Sequence, residues 1–174
     1  MMILLTGGSG CGKSTYAENV CMQLPTPRYY IAAMKPYGPG GAEKVARHRE
    51  MRKGKGFETF ERYTDLAGLR LPERGTALLE CICNLTANEM FDENGCCTDP
   101  CERVFAGVEA LQEQCDTLVV VTNDVGSDGG DYGEETRAYM EAIGRINAGL
   151  AARADVVCEL VCGIPIALKG ELPY

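Results

Sequence analysis

The chain has 174 residues, 45% of them hydrophobic and 24% charged, and it carries a formal net charge of -8. This composition is that of an ordinary globular protein, and the length suits one domain over residues 1–174 with a core of its own. Such an acidic chain is not expected to bind nucleic acid or an anionic membrane surface.

The first residues, MMILLTGGSG, contain no basic segment, and their apolar run is too short for a signal peptide or a membrane helix. We therefore expect a cytoplasmic protein without a membrane anchor, in which the ten cysteines stay reduced. Four cysteines in apolar runs are predicted to pack as small hydrophobic residues: Cys81, Cys83, Cys158 and Cys162. In the group formed by Cys96, Cys97 and Cys101, zinc-site spacing is incomplete, so a loop-to-helix junction is favoured over a metal site.

Five short apolar runs alternate with longer segments of helical pattern. They are MILLT (2–6), RYYIAA (28–33), TALLECI (76–82), TLVVVTN (117–123) and VVCELVC (156–162). Runs of this kind predict the strands of a mostly parallel sheet that is covered by helices on both faces. A further run, IPIAL (164–168), follows Gly163 so closely that it predicts an antiparallel edge strand.

Helices are predicted between these strands. The first, STYAENVCMQL (14–24), follows the first strand, and the last covers residues 134–154, with apolar residues at helical spacing. Between them, Asp99 and Glu102 form a capping-box pattern with Pro100 at the first helical position. That helix should bury a stripe formed by Val104, Val108, Leu111 and Cys115. The alternation of strands and helices implies right-handed crossovers.

A glycine-rich segment with the spacing G-x-x-x-x-G-K-[ST] lies between the first strand and the first helix. It comprises Gly7, Gly8, Ser9, Gly10, Cys11, Gly12, Lys13 and Ser14. The glycines let backbone N–H groups surround phosphate oxygens, Lys13 can reach the terminal phosphates, and Ser14 can bind Mg²⁺. The pattern predicts a phosphate-binding loop in a P-loop NTPase-like (RecA-like) α/β fold. A glycine-rich turn without that role is the alternative.

A P-loop protein also needs a carboxylate close to the metal ion, usually at the end of another core strand. Glu80 follows the apolar residues TALL, and a carboxylate there is costly to bury without a cation or hydrogen-bond donors. We therefore expect Glu80 to complete a magnesium site with Ser14. Asp124, after TLVVVTN, is a second candidate, for which a loop-capping role is equally compatible.

The only histidine, His48, lies in the densest basic cluster of the chain. Six of the seventeen basic residues fall within twelve positions: Lys44, Arg47, Arg49, Arg52, Lys53 and Lys55. Read as a helix, this segment aligns Lys44, His48 and Arg52 at four-residue steps. Neighbouring cations disfavour the imidazolium, so the ring would stay neutral and nucleophilic toward a phosphate. The residues alone leave this interpretation and a solvated basic helix equally open.

Several segments, in order along the chain, resemble the bifunctional adenosylcobinamide kinase/adenosylcobinamide-phosphate guanylyltransferase family of cobalamin biosynthesis. They are MMILLTGGSGCGKSTYAE (1–18), YIAA (30–33), HREMR (48–52) with FETFE (57–61), LLECICNLTANEMF (78–91), VVVTNDVG (119–126) and GRINAGLAARADVV (144–157). The resemblance implies phosphorylation of adenosylcobinamide by ATP or GTP, then transfer of GMP from GTP to adenosylcobinamide phosphate. It also implies a homotrimer.

In the family the guanylyl group passes through a histidine, and the matching position here is His48. The resemblance assigns a catalytic role to His48, beside Lys13, which the phosphate-binding pattern already predicts as catalytic together with Ser14 and Glu80 as magnesium ligands. It assigns nucleotide contacts to the phosphate-binding loop and to a set of later residues: Ala33, Met34, Lys35, Arg49, Glu50, Met51, Arg52, Glu61 and Glu80. The chain departs from the family pattern at Ala33, where threonine is common, and at Phe57, where tryptophan is common.

Two further hypotheses are compatible with the same residues. In the first, the chain is a P-loop kinase for another small molecule, and His48 binds phosphate without forming a covalent intermediate. In the second, the chain is a non-catalytic nucleotide-binding switch or a metallochaperone that uses the Cys96, Cys97 and Cys101 group. Self-labelling by GTP separates the bifunctional enzyme from the first, and bound metal without a transfer product would favour the second.

Overall fold

The structure is a computed structural model that describes residues 1–36, 43, 46, 50, 52–91, 98–126 and 129–172. The strands in these residues are β1 (Met2–Thr6), β2 (Arg28–Ala32), β3 (Phe57–Glu61), β4 (Thr76–Glu80), β5 (Thr117–Val121), β6 (Val156–Val161) and β7 (Ile164–Lys169). The helices are α1 (Lys13–Gln23), α2 (Ile82–Met90), α3 (Cys101–Glu113) and α4 (Glu134–Arg153).

The strands form one sheet in the order β3-β2-β4-β5-β1-β6-β7. Neighbouring strands run parallel except β6 and β7, which form an antiparallel hairpin at one edge. Every residue of the central strand β5 is buried, as expected for a strand with helices over both faces. The predicted mostly parallel sheet with an antiparallel edge strand is confirmed.

The first crossover decides where the phosphate-binding loop lies. Helix α1 packs on β1, β4 and β5, whereas α2, α3 and α4 pack against one another. The connection from β1 to β2 passes over β5 and β4, and it carries α1 across these two strands. The first turn of α1 therefore approaches the end of β4.

Among the described residues, no helix has both the length and the apolar character needed to cross a membrane.

Helix α3 begins one residue later than its sequence pattern predicts. Pro100 precedes the first helical residue, Cys101, and the Asp99 carboxylate accepts a hydrogen bond from the Cys101 N–H at 3.0 Å. This bond satisfies a donor that the first helical turn leaves free, so Asp99 caps the helix from one position further out. The predicted inward stripe is confirmed, since its four residues are all buried: Val104, Val108, Leu111 and Cys115.

The other differences are one strand, β3, and one helix, α2, that were not predicted, and the positions at which predicted strands end. Strand β3 lies at the sheet edge, where its side chains are half-buried or exposed. It therefore has no continuous apolar run, and the sequence did not predict it as a strand. Strand β4 ends at Glu80, where the peptide bond to Cys81 is cis, and α2 begins at Ile82. Strands β2, β5 and β6 end one or two residues before the predicted positions.

The packing predicted for the cysteines is correct at three of the four positions. Cys158 is buried in β6, and Cys81 and Cys83 are buried at the junction of β4 with α2. Cys162 is exposed in the turn between β6 and β7, where it has a positive φ of 52°. The prediction for Cys162 is wrong, because the strand ends before it and the turn projects toward solvent.

Candidate nucleotide site

The phosphate-binding loop connects β1 to α1 at the carboxyl edge of the sheet. Gly7, Gly10 and Gly12 have φ angles of 135°, 73° and 100°, which residues other than glycine rarely adopt. A Cβ atom on Gly7 would lie 2.6 Å from the carbonyl oxygen of Leu160 in β6. Glycine at this position therefore lets the loop lie directly against the neighbouring strand.

Two other segments hold the phosphate-binding loop in place. The N–H of Gly163, in the β6–β7 turn, donates a hydrogen bond to the carbonyl of Cys11 at 2.9 Å. The N–H of Asp124, in the loop after β5, donates to the carbonyl of Gly7 at 3.3 Å. Asp124 is exposed and contacts the loop through its backbone, and its candidate role as a metal ligand stays a prediction.

Lys13 fills the inner side of the same loop. The residue is only 5% exposed, and its Nζ donates hydrogen bonds to the carbonyls of Gly7 at 2.9 Å and Gly8 at 2.6 Å. These bonds hold the ammonium group where the N-terminus of α1 adds partial positive charge. The combination of a lysine, free backbone N–H groups and a helix N-terminus attracts phosphate oxygens.

Ser14 and Glu80 are in direct contact. The Ser14 hydroxyl donates a hydrogen bond to Oε1 of Glu80, because α1 crosses the sheet and brings its first turn to the end of β4. Oε2 of Glu80 accepts a second hydrogen bond, from the Tyr30 hydroxyl at 2.9 Å. The fold thus brings together the two residues that the sequence predicts as magnesium ligands.

These two side chains offer ligands that suit magnesium. A hydroxyl oxygen and a carboxylate oxygen are the kinds of ligand that Mg²⁺ takes in phosphate-transfer sites. The direct hydrogen bond shows that the two oxygens lie next to each other at the start of α1. Ser14 and Glu80 therefore fit the ion, which would neutralise charge on bound phosphates.

The position of Tyr30 follows from the strand register. Tyr30 pairs with Leu78 and Ala32 pairs with Glu80, so the side chains of Tyr30 and Glu80 project from the same face of the sheet. The long tyrosine side chain reaches past Ala32 to the carboxylate. Burial, and secondarily the charge of Glu80, raises the pKa of the Tyr30 hydroxyl, so the group stays protonated and able to donate.

Arg52 covers the ring of Tyr30. Its guanidinium carbon lies 3.5 Å from the ring centroid, a cation–π contact. Arg52 is only 7% exposed, and within the described part of the chain its Nε and Nη1 have no hydrogen-bond partner. A buried guanidinium with free donors is costly unless an acceptor completes it. A phosphate oxygen is one acceptor that would complete these donors, and the nucleotide contact predicted for Arg52 stays a prediction.

The rest of the basic cluster is divided between buried and exposed positions. Lys55 forms an ion pair with Glu18, a buried residue of α1. Lys53 is exposed, with its Nζ 3.5 Å from Oε1 of Glu50. The cluster is thus not one solvated face, since Arg52 and Lys55 contact buried groups. The other members and neighbours lie outside the described residues: Lys44, Arg47, His48, Arg49 and Met51.

Four more predicted nucleotide contacts lie where β3 and β2 end. Glu61 pairs with Ala32, which pairs with Glu80, so the two carboxylate residues project from one face on either side of Ala32. Oε2 of Glu61 accepts a hydrogen bond from the Tyr63 hydroxyl at 2.9 Å. After β2, Ala33 is fully buried, whereas Met34 and Lys35 are half-buried at the same edge.

Two residues at this edge are not predicted by the sequence patterns. Tyr30 lies in an apolar run that predicts only a core strand, and Asn88 lies within a helix. Asparagine is unfavourable inside helices because its side chain competes for backbone groups. That unfavourable placement was the only local signal that Asn88 has another role.

The cysteines do not form a metal site in the described residues. The described cysteines are free thiols, and no group of three or more potential metal ligands occurs in that part of the chain. Cys101 is buried at the start of α3, and Cys96 and Cys97 lie outside the described residues. A hydrogen bond between Cys81 and Cys83 lowers the pKa of Cys83 and raises that of Cys81.

Residues 3–168 match the model of a protein family described as cobinamide kinase / cobinamide phosphate guanyltransferase (CobU). The chain belongs to this family. The matched residues include the phosphate-binding loop, Arg52, Glu61, Glu80, the whole of β6 and all of β7 except its last residue. This CobU-family membership confirms the resemblance that the ordered segments indicate.

Relatives in the CobU family align with almost the whole chain. The bifunctional adenosylcobalamin biosynthesis protein CobU of Escherichia coli (strain K12) is 31% identical over 184 residues, covering 97% of this chain and 100% of the relative. The protein of the same name from Salmonella typhimurium (strain LT2) is 31% identical over 183 residues, with the same coverage. The bifunctional protein CobP of Pseudomonas aeruginosa is 31% identical over 178 residues, covering 98% of this chain and 99% of the relative.

Solved structures share the fold at low sequence identity. The flagellar accessory protein FlaH from Methanocaldococcus jannaschii superposes with a TM-score of 0.53 at 11% identity, covering 99% of this chain and 79% of that chain. An ATPase from the type III secretion system of pathogenic bacteria superposes with a TM-score of 0.51 at 13% identity, covering 92% of this chain and 51% of that chain. These similarities concern the fold alone, and they confirm the predicted P-loop NTPase-like α/β class.

Proposed function

We propose that this chain phosphorylates adenosylcobinamide with a nucleoside triphosphate and then transfers GMP from GTP to adenosylcobinamide phosphate, giving adenosylcobinamide-GDP. Membership of the CobU family supports both activities, as do relatives that are named bifunctional and align with almost the whole chain. The observation that carries the proposal is the series of contacts from Ser14 through Glu80 and Tyr30 to Arg52. It places a hydroxyl and a carboxylate beside the phosphate-binding loop. It also places a guanidinium, two of whose nitrogens have no partner among the described residues, over the tyrosine that contacts the carboxylate.

In the kinase reaction, the hydroxyl oxygen of adenosylcobinamide attacks the γ-phosphorus of the triphosphate. The bond from that phosphorus to the bridging oxygen breaks, the hydroxyl proton is lost to solvent, and the nucleoside diphosphate leaves. Lys13 and the backbone N–H groups of the loop would hold the terminal phosphates during this step. Ser14 and Glu80 would hold Mg²⁺, which neutralises charge on the phosphates when it is bound.

In the guanylyl transfer, a ring nitrogen of His48 attacks the α-phosphorus of GTP and pyrophosphate leaves. A phosphate oxygen of adenosylcobinamide phosphate then attacks the same phosphorus, and the bond to His48 breaks. Arg52 follows His48 by four residues along the chain, and its free N–H groups would bind the oxygens that gain charge at phosphorus. The remaining proposed nucleotide contacts are Ala33, Met34, Lys35, Arg49, Glu50, Met51 and Glu61.

The proposal includes a homotrimer, which is the assembly that the family resemblance implies, and a cytoplasmic location, where ATP and GTP are supplied. Support for a subunit contact comes from the edge strand β7, along which Ile164, Ile166 and Leu168 are exposed on one face. Exposed apolar residues in a row are typical of protein interfaces. Light scattering of the purified protein tests the assembly, for which we expect three times the mass of the 18.8 kDa chain.

The covalent step is tested by incubating the protein with Mg²⁺ and GTP labelled at the α-phosphate, beside His48→Asn and the neighbouring control Lys53→Ala. We expect label that survives denaturation in the wild type and in Lys53→Ala, but not in His48→Asn. A histidine phosphoramidate should be labile in acid and stable in base. His48→Asn should still phosphorylate adenosylcobinamide with γ-labelled ATP, because the kinase reaction does not use the histidine.

Absence of label in the wild type, with normal kinase activity, would contradict the covalent mechanism. The alternative of a P-loop kinase without a covalent intermediate would then stand. Absence of both activities, with GTP still bound, would instead favour a nucleotide-binding switch.

A further inference from the structure

Asn88 connects the loops that follow two neighbouring strands. Its side-chain Nδ2 donates hydrogen bonds to the carbonyl of Ala33 at 2.8 Å and to the carbonyl of Tyr63 at 3.0 Å. Ala33 follows β2 and Tyr63 comes two residues after β3, so the two acceptors belong to different loops. A carboxamide nitrogen carries two N–H groups, and Asn88 can use one for each loop.

These bonds continue the sheet beyond the ends of its strands. The last backbone bonds at this edge join the Arg62 N–H to the Ala32 carbonyl at 2.9 Å and the Ala33 N–H to the Glu80 carbonyl at 3.0 Å. Beyond them, the Asn88 side chain is the donor that contacts both loops. The separation of the loops after β2 and β3 therefore depends on a side chain from α2.

The two loops carry proposed nucleotide contacts. Met34 and Lys35 follow Ala33 directly, and Glu61 is bonded to the Tyr63 side chain. Glu80, the last residue of β4, contacts Ser14, and β2 and β3 are the first and second neighbours of β4 on the side away from β1, so at about 4.8 Å per strand their ends lie roughly 5 and 10 Å beyond that residue. Under the proposed function the terminal phosphates stay in the phosphate-binding loop, and the base and sugar extend past Glu80 toward these two loops.

We propose that Asn88 is a positioning residue that sets the spacing of the loops after β2 and β3, and thereby the affinity for the base and sugar of the nucleotide. The inference rests on the proposed function, because it needs a nucleotide with its phosphates in the loop before α1. It does not depend on His48 or on the covalent step. Asn88 acts through the two loops and does not itself contact the nucleotide.

The test compares Mg²⁺-GTP with inorganic tripolyphosphate as ligands of the full-length protein, by titration calorimetry. For Asn88→Ala we expect the Kd for GTP to rise about tenfold, since two hydrogen bonds that order the loops are lost. The Kd for tripolyphosphate should be unchanged, because the phosphate-binding loop keeps its own contacts. Asn88→Asp should weaken GTP binding further, since a carboxylate has no proton to donate to the two carbonyls.

Gln114→Ala is the matched control. Gln114 is also half-buried, and its amide ties a loop by donating to the Leu69 carbonyl at 3.2 Å and accepting from the Leu71 N–H at 3.0 Å. It lies just before the amino end of β5. The phosphate-binding loop and the two loops that Asn88 contacts lie at the carboxyl ends of the parallel strands, so Gln114 is on the opposite side of the sheet from them. We expect this variant to lose stability to a similar extent and to bind both ligands normally.

The inference is overturned if Asn88→Ala binds GTP like the wild type, or if it loses affinity equally for GTP and tripolyphosphate. It is also overturned if Gln114→Ala weakens GTP binding to the same extent, because general destabilisation would then explain the effect. A wild-type protein that binds neither ligand would refute the proposed function, and this inference with it. A wild type that binds both, beside an Asn88→Ala that binds both normally, refutes the inference alone.

Discussion

The guanidinium of Arg52 lies over the ring of Tyr30, 3.5 Å from its centroid, while the hydroxyl of the same ring donates to Glu80. Phe57 packs edge-on against this ring at a centroid distance of 6.2 Å. One tyrosine thus connects a cation, two of whose nitrogens have no partner within residues that the structure describes, to the carboxylate that contacts Ser14. The proposed magnesium site and the proposed phosphate-binding arginine share a single support.

Replacing Tyr30 by phenylalanine tests the contact with Glu80. The variant keeps the ring beneath Arg52 and loses only the hydroxyl, so Glu80 keeps one of its two donors. We expect kcat of the kinase reaction to fall about tenfold, because the carboxylate is held less firmly beside the phosphates. Initial rates with ATP and adenosylcobinamide measure this effect.

Tyr29→Phe is the control for Tyr30→Phe. Tyr29 is the adjacent residue of β2, is 1% exposed and packs against Phe60 on the other face of the sheet. We expect this variant to be less stable in urea and to keep its kcat. Equal losses of kcat in the two variants would show that removing any buried hydroxyl of β2 lowers kcat, which would contradict a specific role for the contact between Tyr30 and Glu80.

Arg52→Lys tests whether the guanidinium binds a phosphate. Lysine keeps the charge but lacks the planar group that covers Tyr30 and offers several donors in a fixed arrangement. We expect the Kd for GTP to rise about tenfold, whereas Lys53→Ala, at a side chain that is 77% exposed, should bind normally. Titration calorimetry measures both. An unchanged Kd in Arg52→Lys would limit Arg52 to a packing role.

The close approach of the phosphate-binding loop to β6 predicts a difference between two glycines. Gly7→Ala should lower the free energy of unfolding by about 2 kcal/mol, because its φ is 135° and its Cβ would lie 2.6 Å from a backbone oxygen. Gly8→Ala should change it by about 0.5 kcal/mol or less, since its Cβ meets nothing within 4 Å. Urea denaturation compares them, and equal losses would contradict the crowding at Gly7.

The thiol of Cys83 predicts a dependence of stability on pH. The hydrogen bond from Cys81, aided by Thr122 and Tyr139, lowers the pKa of Cys83 to about 6 from an ordinary value of 9.0. Between these values the folded protein binds fewer protons than the unfolded chain, so the free energy of unfolding rises with pH. This stabilisation is lost as the pH falls through about 6.

Urea denaturation between about pH 6 and 8.5 checks this dependence, because Cys83→Ser should flatten the rise. Cys115→Ser is the control, since burial raises the pKa of Cys115 to about 12 and its thiol stays protonated throughout. The pKa of Cys81 is raised above its ordinary value, so Cys81 affects the stability only at a pH above the range of this experiment. Parallel pH profiles for the wild type and Cys83→Ser would contradict the assignment.

Local patterns were sufficient for most of the fold. The buried strands are continuous apolar runs, and α1, α3 and α4 follow segments of helical pattern, so these elements could be predicted from adjacent residues. Helix α2 was not predicted, and its first residue, Ile82, was assigned to the preceding strand. Strand β3 could not be predicted, because it lacks a continuous apolar run, is half-buried or exposed throughout and is defined by its pairing with β2. The sequence pattern placed the start of α3 one residue too early, because Asp99 caps the helix from one position further out than the pattern predicts.

The candidate site was only partly predictable. Glu80 could be assigned because a carboxylate after an apolar strand is costly without a partner. Tyr30 could not, since its hydroxyl meets Glu80 across 50 positions of sequence and only through the register of β2 with β4. Asn88 and the ion pair between Glu18 and Lys55 also depend on which elements become neighbours.

The sequence by itself determined the kind of chemistry, because a phosphate-binding loop is made of contiguous residues whose glycines and lysine act together wherever the strand and helix form. Only the tertiary structure decided which groups surround that loop. The strand order places β5 between β1 and β4, so α1 crosses β5 and β4 on the way to β2. No local pattern encodes this order. Contacts between distant residues, such as Ser14 with Glu80 and Arg52 with Tyr30, exist because the sheet brings those residues to one edge.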